Sequence, residues 1–181
     1  MNYHQLWTTP IGQLKLDLPN EMRDALVECV TLDVNMDLFD YTKYASKSHM
    51  HIFKAVHRFE IIISKFIREY AAQAWGLDKN LSMLIHGLSH VQIPYQKRVP
   101  PHFHHNVDGT LIYYLTVGGE YFLKDMDKSE PKLQHDYSGD LLLLDPRPNV
   151  SYPYNDKAKI IRPQNGTTVI HPGYVWHETN Q

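Results

Sequence analysis

A single cysteine, Cys29, stands in the 181 residues of this chain. That scarcity excludes an internal disulfide framework and a metal site built on thiolates. It suits a reducing compartment, so a cytoplasmic location is the expectation. No apolar run approaches the length needed to cross a bilayer. The opening M-N-Y-H-Q-L-W lacks the positive region and following apolar run of a signal peptide. Net charge is also scarce: 18 Lys and Arg against 20 Asp and Glu leave a formal charge of −2. No basic field is available to gather nucleic acid, so none is expected as a partner. Internal repeats and low-complexity tracts are absent. So is the H-E-x-x-H metal motif, because His86 and His90, although four apart, lie in H-G-L-S-H.

What remains is ordinary globular composition, 43% hydrophobic and 21% charged, in a chain long enough for one domain with a sizeable core. Twelve histidines and twelve tyrosines stand out. Residues Leu6 to Leu18 read as an opening strand pair or extended arm, which can pair across a homodimer. Asn20 is a candidate cap for a helix carrying Met22, Leu26, Cys29 and Val30 on one face, with Cys29 a core thiol. Thr31 to Ser48 reads as loop. From His49 to Trp75, apolar residues fall three and four apart (Ile52, Val56, Phe59, Ile63, Phe66, Ile67, Tyr70), predicting a long helix closed by Gly76. His57 reads as a surface or support residue there.

The sheet region begins near Leu81 and passes a small basic turn at Gln96, Lys97 and Arg98. Strands are predicted at Thr110–Val117, Asp140–Leu144, Lys159–Pro163, Thr167–Ile170 and Val175–Thr179. Gly118-Gly119 signals a hairpin into Glu120–Asp125. Loops are expected over Asp125–Gly139 and Asn149–Lys157, and a turn at His171-Pro172-Gly173. Helices first, then many short strands, predict a mainly β fold with an α-helical N-terminal half. Its form would be a double-stranded β-helix (a jelly roll or cupin-like barrel) braced by helices. A single domain over residues 1–181 is expected, with a helical support region at about 20–78 and a β-helix core at about 82–181.

The chemistry gathers at P-H-F-H-H-N-V-D, Pro101 to Asp108. On a strand, residues two apart share a face. His102 and His104 can therefore reach one ion from rigid backbone, with Phe103 turned the other way, toward the core, and His105 away from the pair. The third ligand should come from a neighbouring strand, and His177, in G-T-T-V-I-H-P-G-Y-V-W-H, is the best candidate. Asp108 is a further carboxylate within reach. Two or three histidines with one carboxylate suit Fe(II), and also Mn, Zn, Ni or Co.

These motifs resemble the 2-oxoglutarate and Fe(II) dependent oxygenase superfamily, and more closely a subgroup also found in phages and marine bacteria. The resemblance rests on L-W-T-T-P-I, on Pro101-His102-Phe103-His104, on T-L-I-Y-Y-L and on Asp145-Pro146-Arg147. It also rests on Pro172-Gly173-Tyr174-Val175-Trp176-His177. It implies iron ligation by His102 and His177, 2-oxoglutarate as cofactor, and hydroxylation of an unidentified peptidyl or small-molecule substrate. The prolyl-hydroxylase-like members carry Asp or Glu at the middle ligand. Here either His104 binds or Asp108 folds back, and strand geometry favours His104. Family members usually clamp the co-substrate with a cation about ten residues past the distal histidine, whereas this sequence ends four past His177. Arg162, Arg147 and Arg98 are the available arginines, Arg162 first, with a hydroxyl from Tyr113 or Tyr114. Tyr152 and Tyr154 are candidates for the substrate mouth. The cupin motifs fit H-x-H-x(3)-D and G-x(5)-P-x(4)-H nearly as well, which leaves open a cupin-type metal protein working without oxoglutarate. A catalytically inactive structural protein is the third possibility.

Overall fold

The computed structural model describes residues 9–32, 40–89, 99–117, 139–147 and 158–179. The sequence expectations for Glu120–Asp125, Asp125–Gly139, His90, Gln96, Lys97, Arg98, Tyr152 and Tyr154 lie outside the described residues or almost wholly so. Two compact units are present. One comprises residues 1–15 and 92–181 and holds every named strand among the described residues; the other, Leu16–Val91, holds the helices.

In the helical unit, α1 spans Asn20–Leu32 and α2 spans Met50–Trp75, with short 3-10 turns at Tyr41–Tyr44 and Lys47–His49 between them. Asn20 is the first helical residue rather than the cap, since the Pro19 carbonyl accepts the Arg23 N–H at 3.0 Å. Met22, Ala25, Leu26 and Cys29 form the buried face of α1. On α2 the buried residues Ile52, Val56, Phe59, Ile63 and Tyr70 follow the three-and-four spacing of an amphipathic helix. Gly76 ends α2 in the left-handed region at φ 68°, where a side chain would cost about 1 kcal/mol. The Leu77 N–H reaches back to Ala71 O at 3.3 Å to close the last turn. Residues 77–89 belong to no named strand and group with the helices, with a β-bridge at Leu88. Leu84 and Leu88 are 84% and 76% exposed there.

The strand unit holds two antiparallel three-stranded sheets. In the first, β5 (Thr167–Pro172) lies between β1 (Gly12–Lys15) and β2 (Gly109–Tyr113). In the second, β3 (Leu141–Leu144) lies between β4 (Ala158–Ile161) and β6 (His177–Thr179). No closed barrel exists among the described residues. One apolar cluster draws on both sheets: Leu141, Leu143 and Ile161 from the second, Val169 from the first, and Val175 from the turn between β5 and β6. Ile112 and Tyr114 pack against it. Alternation then fixes the inner faces. Thr110, Ile112, Val169 and His171 share the inner face of the first sheet, because Thr110 pairs with His171 and Ile112 with Val169. His177 shares that of the second, because it pairs with Leu143.

Strand β5 differs from its prediction in a way that matters for the site. It runs two residues further, through His171 and Pro172, before the chain turns at Gly173-Tyr174. Strand β2 in turn stops at Tyr113, short of Val117.

Leu141 is fully buried at the centre of the cluster. Replacing it with alanine (Leu141→Ala) is expected to destabilise the protein by about 2–5 kcal/mol, read by denaturant unfolding. A loss below about 1 kcal/mol would contradict this account of how the sheets are held.

Candidate metal centre

Residues 102 and 177 meet through their backbones. The His102 N–H donates to His177 O at 3.0 Å and the His177 N–H to His102 O at 2.9 Å, an isolated antiparallel bridge on the free side of β6. A mutual pair of this kind sets both side chains on one face of the sheet. The ring centroids lie 4.3 Å apart. His104, two residues on, shares that side: its ring is 5.2 Å from His102 and 5.2 Å from His177. One ring nitrogen from each of the three histidines lies within 4.8 Å of the others. Two nitrogens at about 2.1 Å from one ion and at right angles are about 3 Å apart. The three rings can hold a metal after a modest inward rotation.

The segment after His104 is shaped to keep it there. Asn106 takes a positive φ of 60°, which asparagine tolerates better than most residues, and the chain reverses. The His104 N–H then reaches Gly173 O, and the Gly173 N–H reaches Asp108 O, both at 3.1 Å. Position 173 must be glycine, because a Cβ there would be driven into the Val107 carbonyl oxygen and lie 2.9 Å from Val107 Cγ2. Two residues of the distal motif, Gly173 and His177, are thereby stitched to the first motif.

The tautomers follow from hydrogen bonds. His102 Nδ1 lies 2.9 Å from Pro100 O, and His177 Nδ1 lies 3.2 Å from Val175 O. A carbonyl only accepts, so each Nδ1 carries the proton and each neutral ring keeps its lone pair on Nε2. Metal-binding histidines are oriented in this way. Burial pushes the His177 pKa down to about 4, against the Val175 hydrogen bond and with help from the neighbouring imidazoles. His104 is also shifted down, by burial first and then by His102. Neutral imidazoles are the form that ligates a metal.

The other residues read from the sequence fall elsewhere. Asp108 is exposed and outside the histidine cluster, and what it gives the site is its backbone carbonyl. Phe103 is not in the core. It packs on the outer side against Trp176, with centroids 4.8 Å apart, and His105, at 4.3 Å. The core on this side is already filled by Leu141, Leu143 and Val175. Arg147 is fastened to Asp145, its Nε 2.9 Å from Oδ1, and the pair holds the carboxyl below its usual range. Arg162 is 66% exposed and lies 3.7 Å from Asp140. Tyr113, flanked by the inward-packing Ile112 and Tyr114, points to the other face of β2. Tyr114 does turn inward; its buried hydroxyl has no partner, and burial, with the Asp140 charge, pushes its pKa up to about 12. His86 is exposed on the helical unit, and His57 is a surface residue bonded to the Tyr41 hydroxyl at 2.9 Å.

One inward residue went unpredicted. His171 is fully buried, and its ring lies 4.9 Å from that of His177. Reading His171-Pro172-Gly173 as a turn hid it. The alternation Thr167, Val169, His171 on one strand face carried the signal.

No family model, curated protein or solved structure matches this chain.

Two outcomes follow from this geometry. His177, His104 and His171 all titrate below the ordinary imidazole value in the fold. In the metal-free protein, the stability gained by keeping these rings neutral is complete above about pH 6.5 and is lost on acidification toward the folded values. Melting temperature should fall less steeply over that range in His177→Gln than in the native protein; parallel profiles would contradict it. Gly173→Ala should weaken Co(II) binding at least about tenfold while leaving the far-UV circular dichroism unchanged. Unaltered Co(II) affinity would mean that the Gly173 contacts do not hold His104.

Proposed function

We propose that this chain binds one divalent metal ion, Fe(II) in its working form, through His102, His104 and His177, and uses it as an oxygenase of the double-stranded β-helix class. The observation that carries this reading is the convergence of three imidazoles from two distant segments, two of them with Nδ1 tied to backbone carbonyls. The fold reading is supported by strand order. β6 returns beside β3 after the chain has passed through β4 and, in the other sheet, β5. Crossings of that kind belong to Greek-key sandwiches and jelly rolls.

Bound iron would supply open coordination positions and oxygen chemistry. The chain's own contribution is orientation and exclusion of water. Backbone carbonyls hold the His102 and His177 rings in register, and the Gly173 contacts hold His104. Leu143 and Val175, 2% and 1% exposed, back the site with apolar surface. The substrate would be a small molecule or a peptide side chain.

Of the two groups the sequence resemblance implies, the three histidines fit the metal, and among the described residues no arginine of the strand unit is buried to meet 2-oxoglutarate. The far carboxylate of that co-substrate needs a buried cation. Among the described arginines offered for that role, Arg147 is engaged by Asp145 and Arg162 is largely exposed. That observation favours a second reading, a cupin-type metal enzyme working without oxoglutarate.

Anaerobic Fe(II) loading separates the two. The native protein should retain one iron per chain, and His102→Ala and His177→Ala should each retain little. A new visible absorption band on adding 2-oxoglutarate would support the oxoglutarate-dependent enzyme; retained iron without that band would support the cupin-type enzyme. Failure of the native protein to retain any divalent metal would overturn both and leave a structural role.

A further inference from the structure

Two buried polar atoms near the three histidines have no hydrogen-bond partner: His171 Nε2 and Thr110 Oγ1. They belong to residues paired directly across β5 and β2, on the same inner face. His171 is 0% exposed, so solvent cannot satisfy its ring. Its Nδ1 lies 2.8 Å from Pro172 O and must carry the proton, which leaves Nε2 as an acceptor only. The ring sits 4.9 Å from that of His177. A buried acceptor with no donor is costly and is not normally left standing beside a built site.

We propose that His171, with Thr110, is a binding element for the ligand on the metal: Nε2 accepts a hydrogen bond from a metal-bound water or hydroxyl. This rests on the three-histidine metal reading. The metal itself is held by the other three rings, and the three-residue cluster does not include His171. The Thr110 hydroxyl, which donates or accepts, supplies the second contact. Such a subsite selects ligand atoms that carry a hydrogen. It disfavours one that brings only lone pairs, because that atom would displace the water and leave Nε2 unpaired. His171 is thus a positioning and specificity residue rather than a fourth ligand.

The test uses Co(II)-loaded full-length protein and azide, which coordinates metals without a hydrogen to offer, followed by visible absorption. In the native protein azide must displace a water held by His171. In His171→Phe the water loses that partner, so azide affinity should rise about tenfold while Co(II) content stays at one per chain. Thr110→Val, nearly isosteric, should shift azide affinity in the same direction by a smaller factor, and it keeps the test open if the phenylalanine variant does not fold. Azide affinity within about twofold of native in every folded variant would overturn the proposal. So would loss of Co(II) from a folded His171→Phe protein, which would make His171 a ligand. Absence of Co(II) binding by the native protein would instead bring down the metal reading on which the proposal stands.

Discussion

The mutual backbone pair between His102 and His177 is the constraint on which the rest depends. It makes neighbours of two segments that the sequence sets far apart, and it does so with peptide groups rather than side chains. Side-chain direction then follows from strand alternation. Because His177 pairs with Leu143 across β6 and β3, the ring that faces His102 is also anchored on the apolar cluster shared by the two sheets. The same burial that stabilises the strand unit desolvates the site and keeps His177 neutral. Packing and chemistry here have one cause.

Glycine and proline residues set the shape around that pair. Pro100 offers the carbonyl that orients His102, and Pro172 offers the one that orients His171. Gly173 lets the loop after His104 lie against the β5–β6 turn at a distance no side chain would allow. The distal motif therefore works as a unit, with Gly173 receiving the first motif, Val175 closing the apolar cluster and His177 offering its ring. The outer side is different in kind: Trp176, Phe103 and His105 pack there with tilted rings.

Much of this was legible in the sequence because it depends on local periodicity. The 3.6-residue pattern from Ile52 to Tyr70 marks α2, and Gly76 marks its end. The two-residue spacing of His102 and His104 is enough to put both rings on one side. What depended on long-range pairing was less legible. Nothing in Gly12–Lys15 reveals that it lies against β5, because its partner is distant in sequence. Phe103 looked like a core residue because it is large and apolar, yet the core on that side was already filled. His171 was hidden by Pro172-Gly173, whose turn signal puts the expected strand end at Ile170, two residues short of the observed one.

The central claim is that one ion is shared by rings from both motifs. Anomalous diffraction from a crystal of the Fe(II)-loaded protein tests it most directly. The account predicts a single iron peak with nitrogens of His102, His104 and His177 each within about 2.3 Å. An iron peak away from these rings, or one that His177 does not reach, would contradict it.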